Sequence, residues 1–364
     1  MNAFQVYAHH NEIYLHVKQH TDNSQKWIVQ LISKQKADQY DLDLLHKILK
    51  HTRSCHLCPA KQLMEEIKSF ILSQLDISTQ KPTLPLLVCL MDLVKNHALA
   101  CDHWLIEMAC SLWYEPSINT VRKAMELCRR VQDRLEEADV TLVTHILRYI
   151  SHCQSSLDMQ DIDRFRSGEY TEFFYTPTSI VCDRECIKLL VQIILSLLFK
   201  LSNHAISQQL TDKAQEIYAL NPSAFLPLLF DICCANDDDT IQILNTVLLL
   251  FQERPETHVF FESLQINPHI LFTFFVYRCG SSHDILIDLL LENDSDFLSY
   301  FHQYIIYAQK DISTFKSSLT YIDLDTIQAI LINTIRVLEG NGFPYNTKPL
   351  IKRLTQLQDQ LFGV

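Results

Sequence analysis

Five glycines in 364 residues are the strongest constraint on what this chain can fold into. Average usage of roughly 7% would place about 25 in a chain of this length. Glycine supplies the left-handed backbone that tight hairpin turns and phosphate-cradling loops require. A chain this poor in it cannot hold many β-hairpins or a large set of ligand-cradling loops, which argues against most nucleotide-binding enzyme folds. Disorder is excluded as well, because hydrophobic residues make up 48% of the chain and no low-complexity tract interrupts it. The composition therefore predicts a long, folded, mostly helical protein.

Charge narrows the class of partner. Lys and Arg number 31 against 43 Asp and Glu, a formal net charge of −12. Phosphate backbones are repelled by such a chain unless its basic residues cluster. The densest basic set, Arg122, Lys123, Arg129, Arg130 and Arg134, is interleaved with Glu126, Asp133, Glu136 and Glu137, so no direct nucleic-acid binding is expected. The start of the chain lacks a basic region followed by an apolar run, so no secretory signal is expected. The longest apolar runs, such as Leu189 to Phe199, fall short of the roughly 20 residues a membrane span needs. The 12 cysteines then read as reduced intracellular thiols. Cys89, Cys110, Cys233 and Cys279 sit inside apolar runs, where cysteine acts as a small buried hydrophobe.

The dominant period along the chain is helical. In 119–138, Val121, Ala124, Met125, Cys128, Val131, Leu135 and Ala138 share one face and the Arg and Glu residues the other. Similar stripes predict helices near 40–51, 60–76, 83–96, 101–114, 140–153, 183–200, 207–219, 222–235, 239–252, 268–279, 283–291, 294–308, 323–339 and 347–361. Gln5–Val17 partly alternates and reads as a short strand or an irregular helix. Asn221-Pro222 and Asn267-Pro268 each place a capping residue before a proline at the first helical position. Asp239 to Gln242 reads as a capping box, and Gly340 suits the left-handed position after a helix ending near Glu339.

Residues 154–180 carry polar residues, one Gly, one Pro and no clear period. They read as a long loop or linker between an N-terminal helical lobe, 1–153, and a C-terminal helical-repeat lobe, 181–364. In the second lobe, the segment from Asn221 resembles the segment from Asn267 at an offset of 46 residues. Each has Asn-Pro, an apolar helix ending in Cys, a polar turn with Asp and a second apolar helix. That spacing lies within the range of HEAT and armadillo repeats, so the expected fold is all-α, with stacked helix pairs in a HEAT- or armadillo-like α-solenoid.

The catalytic inventory is short. No phosphate loop, dinucleotide fingerprint, Gly-x-Ser-x-Gly elbow or His-Glu-x-x-His is present. The best metal-ligand set is His46, His51, Cys55, His56 and Cys58, in which Cys55-x-x-Cys58 offers two thiolates from one turn. A second Cys or His pair at short range is missing, which favours a polar turn after a helix over a zinc site. Asp237, Asp238 and Asp239 offer hard oxygen ligands, but a helix N-terminus accounts for them through its dipole.

The most specific segment is the end. After the helix near 323–339 come Phe343-Pro344-Tyr345-Asn346 and then Pro349-Leu350, which opens a last helix striped by Leu350, Leu354, Leu357 and Leu361. Asn346 is placed to cap that helix, with Tyr345 stapled onto Leu350. Upstream, His283-Asp-Ile-Leu-Ile-Asp-Leu-Leu-Leu, Asp296-Phe-Leu-Ser-Tyr300 and Asn267-Pro-His-Ile-Leu-Phe complete the pattern. Together these residues, over 265–361, resemble the C-terminal region of the Lines family. The resemblance implies a non-enzymatic regulator of Wnt/Wingless developmental signalling and segment polarity, found in cytoplasm and nucleus. It also implies partners among transcription regulators of the zinc-finger type, with Phe343, Pro344, Tyr345, Asn346, Pro349 and Leu350 as the motif that docks the last helix or meets a partner.

The expected function is thus a protein-binding scaffold without covalent chemistry, cofactor, small-molecule ligand or membrane. Its acidic balance would suit a basic partner. Two rival readings are a metal-dependent enzyme or metal-stabilised subunit using the His46–Cys58 cluster, and a helical subunit of an obligate assembly.

Overall fold

Most of the apolar stripes that the sequence repeats every 3.6 residues have become the buried sides of helices. In the computed structural model the described residues are 3–21, 23–75, 81–156, 183–202, 204–292, 296–340 and 342–363. Among them every regular element is helical, and no strand occurs. The expected linker lies outside the described residues apart from its first three positions, which end a helix.

The chain divides into two compact units, 1–200 and 201–364. The first contains α1 (Ala3–Lys18), α2 (Ser24–Ile32), α3 (Gln39–Ser54), α4 (Met64–Ser73), α5 (Leu84–Lys95), α6 (His103–Cys110), α7 (Ile118–Arg134), α8 (Val140–Ser156) and α9 (Arg184–Lys200). The ambiguous N-terminal alternation is therefore a helix, whose Ile13 and Val17 are buried. Within this unit α1 packs on α3, α3 on α5, α5 on α7 and α7 on α9. Val121, Ala124, Met125, Cys128 and Val131 are the buried stripe of α7, while Glu126 on its polar side pairs with Lys123 and Arg130. The helix stops at Arg134, one turn earlier than its apolar period, because Leu135 takes an extended conformation. Lys200 closes that end: its ammonium donates to the carbonyls of Gln132, Asp133 and Leu135 at 2.6, 2.8 and 2.7 Å. A cation on the last carbonyls satisfies orphan acceptors and complements the helix dipole.

The second unit contains α10 (His204–Leu220), α11 (Pro222–Cys233), α12 (Asp237–Glu253), α13 (His258–Ser263), α14 (Pro268–Arg278), α15 (Asp284–Leu291), α16 (Phe297–Lys310), α17 (Ile312–Ser317), α18 (Leu324–Leu338) and α19 (Lys348–Phe362). The two Asn-Pro caps form as their sequence dictates. Asn221 accepts from the Ala224 amide and Asn267 from the Ile270 amide. The paired segments do begin alike, but their second helices differ, 17 residues in α12 against 8 in α15. An aromatic core joins α14 to α16: the Phe272 ring centroid lies 4.2 Å from Tyr304 and 5.9 Å from Phe301.

Two expected caps are corrected. Asn236, not Asp239, caps α12, and its side chain accepts from the Asp239 amide at 2.8 Å. Starting at Asp237 puts three carboxylates in the first turn, where the dipole favours them. Gly340 is not left-handed; the positive φ after α18 belongs to Gly342.

The scarcity of glycine turns out to have a structural counterpart. α1, α5, α13 and α14 all end in the same double hydrogen-bonded cap, in which a residue past the end turns left-handed. Only α14 uses glycine there, Gly280; α1 uses His20, α5 uses His97 and α13 uses Gln265. A left-handed L-residue costs about 1–2 kcal/mol. Gln265→Gly is therefore expected to stabilise the second unit by up to about 1 kcal/mol, after glycine's greater unfolded freedom is discounted. A denaturant midpoint that stays put or falls would show that the Gln265 side chain offsets the strain.

Candidate functional site

The expected metal-ligand set does not assemble as one cluster. α3 carries His46 and His51 on different faces, and each meets a different neighbour. His46 turns toward α5, where its Nδ1 lies 2.5 Å from Asp92 Oδ2. His51 lies near the end of α3, facing the turn that follows α1. Cys55, the residue after α3, has its Sγ 3.0 Å from His20 Nε2. Cys58 is buried and its thiol is pushed up by that burial, which works against the thiolate a metal needs. One ligand atom each from His20, His51 and Cys55 lie within 4.8 Å of one another. Sequence spacing missed His20, because it stands 35 residues before Cys55 and belongs to another helix end.

Between α3 and α5 lies a cleft of about 460 Å³. Leu42, Leu84, Pro85, Val88 and Met91 supply its apolar wall. Lys50, Arg53, Lys95 and Lys123 supply four cations against two carboxylates, Asp43 and Asp92. Asp92 is fully buried, held by His46 on one oxygen, while its other oxygen lies 3.6 Å from the Arg53 guanidinium. A buried carboxylate is tolerable only with a hydrogen-bonding imidazole and a nearby guanidinium for company. Lys95 pairs with Glu126 across to α7, and burial lowers its affinity for the proton. Lys50 is exposed and has no ion-pair partner among the described residues. Lys95 and Lys123 both reach Glu126, so the apolar-walled groove keeps a small cationic excess, carried at its rim by Lys50, on a chain whose net charge is −12. Its residues come from positions 42 to 123, so no sequence window contains the pattern.

The C-terminal motif forms a turn between two packed helices, α18 and α19. Asn346 accepts from the Lys348 amide at 3.1 Å, and the Thr347 hydroxyl donates to the Leu338 carbonyl at 3.0 Å. The expected Asn346 cap is corrected: Thr347 is the residue flanking α19 and makes no side-chain cap bond, while Asn346 closes a local turn onto the first helical amide. The Tyr345 ring packs against Phe343 with centroids 5.8 Å apart. Pro344, Asn346 and Pro349 are exposed, whereas Leu350, Leu354, Leu357 and Leu361 are all buried. The acidic run Asp237 to Asp239 occupies the first turn of α12. Among the described residues no single helix is long and apolar enough to cross a membrane.

Comparison with known families places residues 250–318 in a match to the model described as Lines N-terminus. The match spans the end of α12 through α17 and supports a Lines-family protein. It overlaps the first part of the segment expected from sequence, 265–361, begins 15 residues earlier and stops before the Phe343–Asn346 turn. The description is that of the family's N-terminal rather than C-terminal region. No curated protein and no solved structure matches the chain.

Proposed function

We propose that this chain is a non-enzymatic Lines-type regulator that works as a protein-interaction scaffold. The α3–α5 cleft is the observation that carries the reading. It offers an apolar wall, a rim lysine with no ion-pair partner among the described residues and a small local excess of positive charge. Those features suit a partner segment with one apolar anchor flanked by carboxylates. The chain-wide acidity would steer toward a basic partner at long range. At contact distance, however, the cleft's own lysines dominate, because charges beyond a Debye length of about 8 Å are screened.

The run of contacts from α1 through α3, α5 and α7 to α9 supports a helical-repeat arrangement of the first unit. The family match supports a developmental role of the Lines type. On this reading the protein acts in Wnt/Wingless signalling, in cytoplasm and nucleus, with transcription regulators of the zinc-finger type among its partners. The acidic segment that enters the cleft then belongs to such a partner.

Affinity purification with quantitative mass spectrometry tests the proposal. Lys50→Glu combined with Lys123→Glu reverses two rim charges of the cleft. Partners that enter it are expected to fall at least about tenfold, consistent with roughly 1–2 kcal/mol for two partly exposed charges. Purified binding should also weaken as salt rises. A partner set unchanged by the double variant, or turnover of a substrate by the purified chain, would overturn the scaffold reading.

A further inference from the structure

The geometry points to a zinc-class metal site formed by His20, His51 and Cys55, where α1 and α3 end side by side. Two imidazoles and one thiolate are the donor set that a borderline-soft divalent ion prefers. The three donor atoms lie within 4.8 Å of one another. Ligands around tetrahedral zinc stand about 3.5 Å apart, so rotation of side chains at helix ends closes the remaining distance. His20 and Cys55 are already at 3.0 Å.

Two further observations single out this cluster from an incidental meeting of side chains. The first is the backbone of His20. It occupies the left-handed position of the cap after α1 with φ +54°, a place where glycine would avoid strain. The cap itself is built by the backbone, through His20 N to Val17 O and Thr21 N to His16 O, and does not require a histidine. What the histidine adds is a side chain aimed at α3. The turn that presents it is held firmly, because the Ser24 hydroxyl, fully buried, donates to the His16 carbonyl at 2.8 Å. The second is His51, whose Nε2 is buried and finds no hydrogen-bond partner among the described residues.

Binding breaks the Cys55 S–H bond, forms a sulfur–metal bond and releases one proton to the buffer. Each imidazole binds through an unprotonated ring nitrogen. Three protein ligands leave a fourth position for water, since His20 is exposed. The ion would clamp the end of α1 to the end of α3. This inference stands apart from the scaffold reading and uses residues outside the α3–α5 cleft.

Cobalt(II) titration of the 364-residue chain tests it, with zinc as competitor. One equivalent of cobalt is expected to produce the near-ultraviolet thiolate-to-metal band and visible bands of a four-coordinate ion. Zinc should abolish them, with about one proton released per ion. Cys55→Ser should remove the thiolate band, and His20→Ala or His51→Ala should weaken binding at least about tenfold. His46→Gln and Cys58→Ala should leave the spectrum intact. Circular dichroism checks that each variant is folded, and His46→Gln remains as control should Cys58→Ala unfold. No saturable band at one equivalent would overturn the site. So would a band that survives Cys55→Ser or is lost in His46→Gln.

Discussion

Replacing Phe272 with Ala is expected to destabilise the second unit by about 3–5 kcal/mol, the range for truncating a buried aromatic ring. Phe272 lies on the inner face of α14 and is 6% exposed. Its ring meets Tyr304 at 4.2 Å, Phe301 at 5.9 Å and Phe275 at 6.4 Å. Truncation removes transfer energy and leaves a void lined by stiff rings, which close over it poorly. All three tryptophans, Trp27, Trp104 and Trp113, belong to the first unit. Tryptophan fluorescence therefore follows the wrong part of the chain for this measurement. Hydrogen exchange of peptides from α14 and α16 is the suitable readout, and their protection should fall with the loss of stability. Protection unchanged in Phe272→Ala would mean that α14 is not held by this core.

His269, three residues earlier on the same helix, should make the second unit acid-sensitive. It is 1% exposed, with Nδ1 3.3 Å from the Tyr304 hydroxyl and its ring packed against Tyr307 and Phe315. Burial pushes its pKa down to about 4, against a weaker opposing pull from Asp311. The unfolded chain takes up this proton near pH 6.5, whereas the folded unit resists until about pH 4. Below the unfolded value the unfolded state therefore binds more protons, and stability falls as pH drops from about 6.5 toward 4. The full loss is about 3 kcal/mol for this shift. His269→Gln cannot titrate, so the difference between the two proteins isolates the histidine from the carboxylates. Urea midpoints at pH 7.5, 6.5, 5.5 and 4.5 should converge as pH falls. Parallel pH profiles for the two would show that His269 does not carry the effect.

Much of this was legible in the residues themselves. The α7 stripe, the Asn221 and Asn267 caps and the leucine face of α19 all follow from spacings of a few residues. Those are the distances over which a helix repeats and a cap hydrogen-bonds. Where several capping residues stand in a row, that rule is insufficient. Asn236 and Asp237 to Asp239 are all competent, and α12 starts at the earliest, which brings Thr240, Ile241 and Leu244 onto its buried side. The short helices α13 and α17 escaped the periodic reading, since six residues hold too few turns to show a period.

The candidate sites were far less legible, for a physical reason. His46 meets Asp92 across 46 positions, and His20 meets Cys55 across 35. Nothing local in either segment announces its partner. The Cys55-x-x-Cys58 spacing does close a turn, with the Cys58 amide donating to the Cys55 carbonyl, but the chain buries Cys58 and turns Cys55 toward another helix end.

The sequence by itself determined that this protein is helical, where most of its helices lie and which face of each is apolar. Those properties depend on backbone hydrogen bonds and side-chain periods that span one or two turns. Tertiary structure decided that glycine's left-handed positions would be filled by His20, His97 and Gln265, that the α3–α5 groove would be cationic on an acidic chain, and which histidine would stand beside Cys55. Each depends on through-space contact between elements far apart in the chain, and packing, rather than spacing, selects those neighbours.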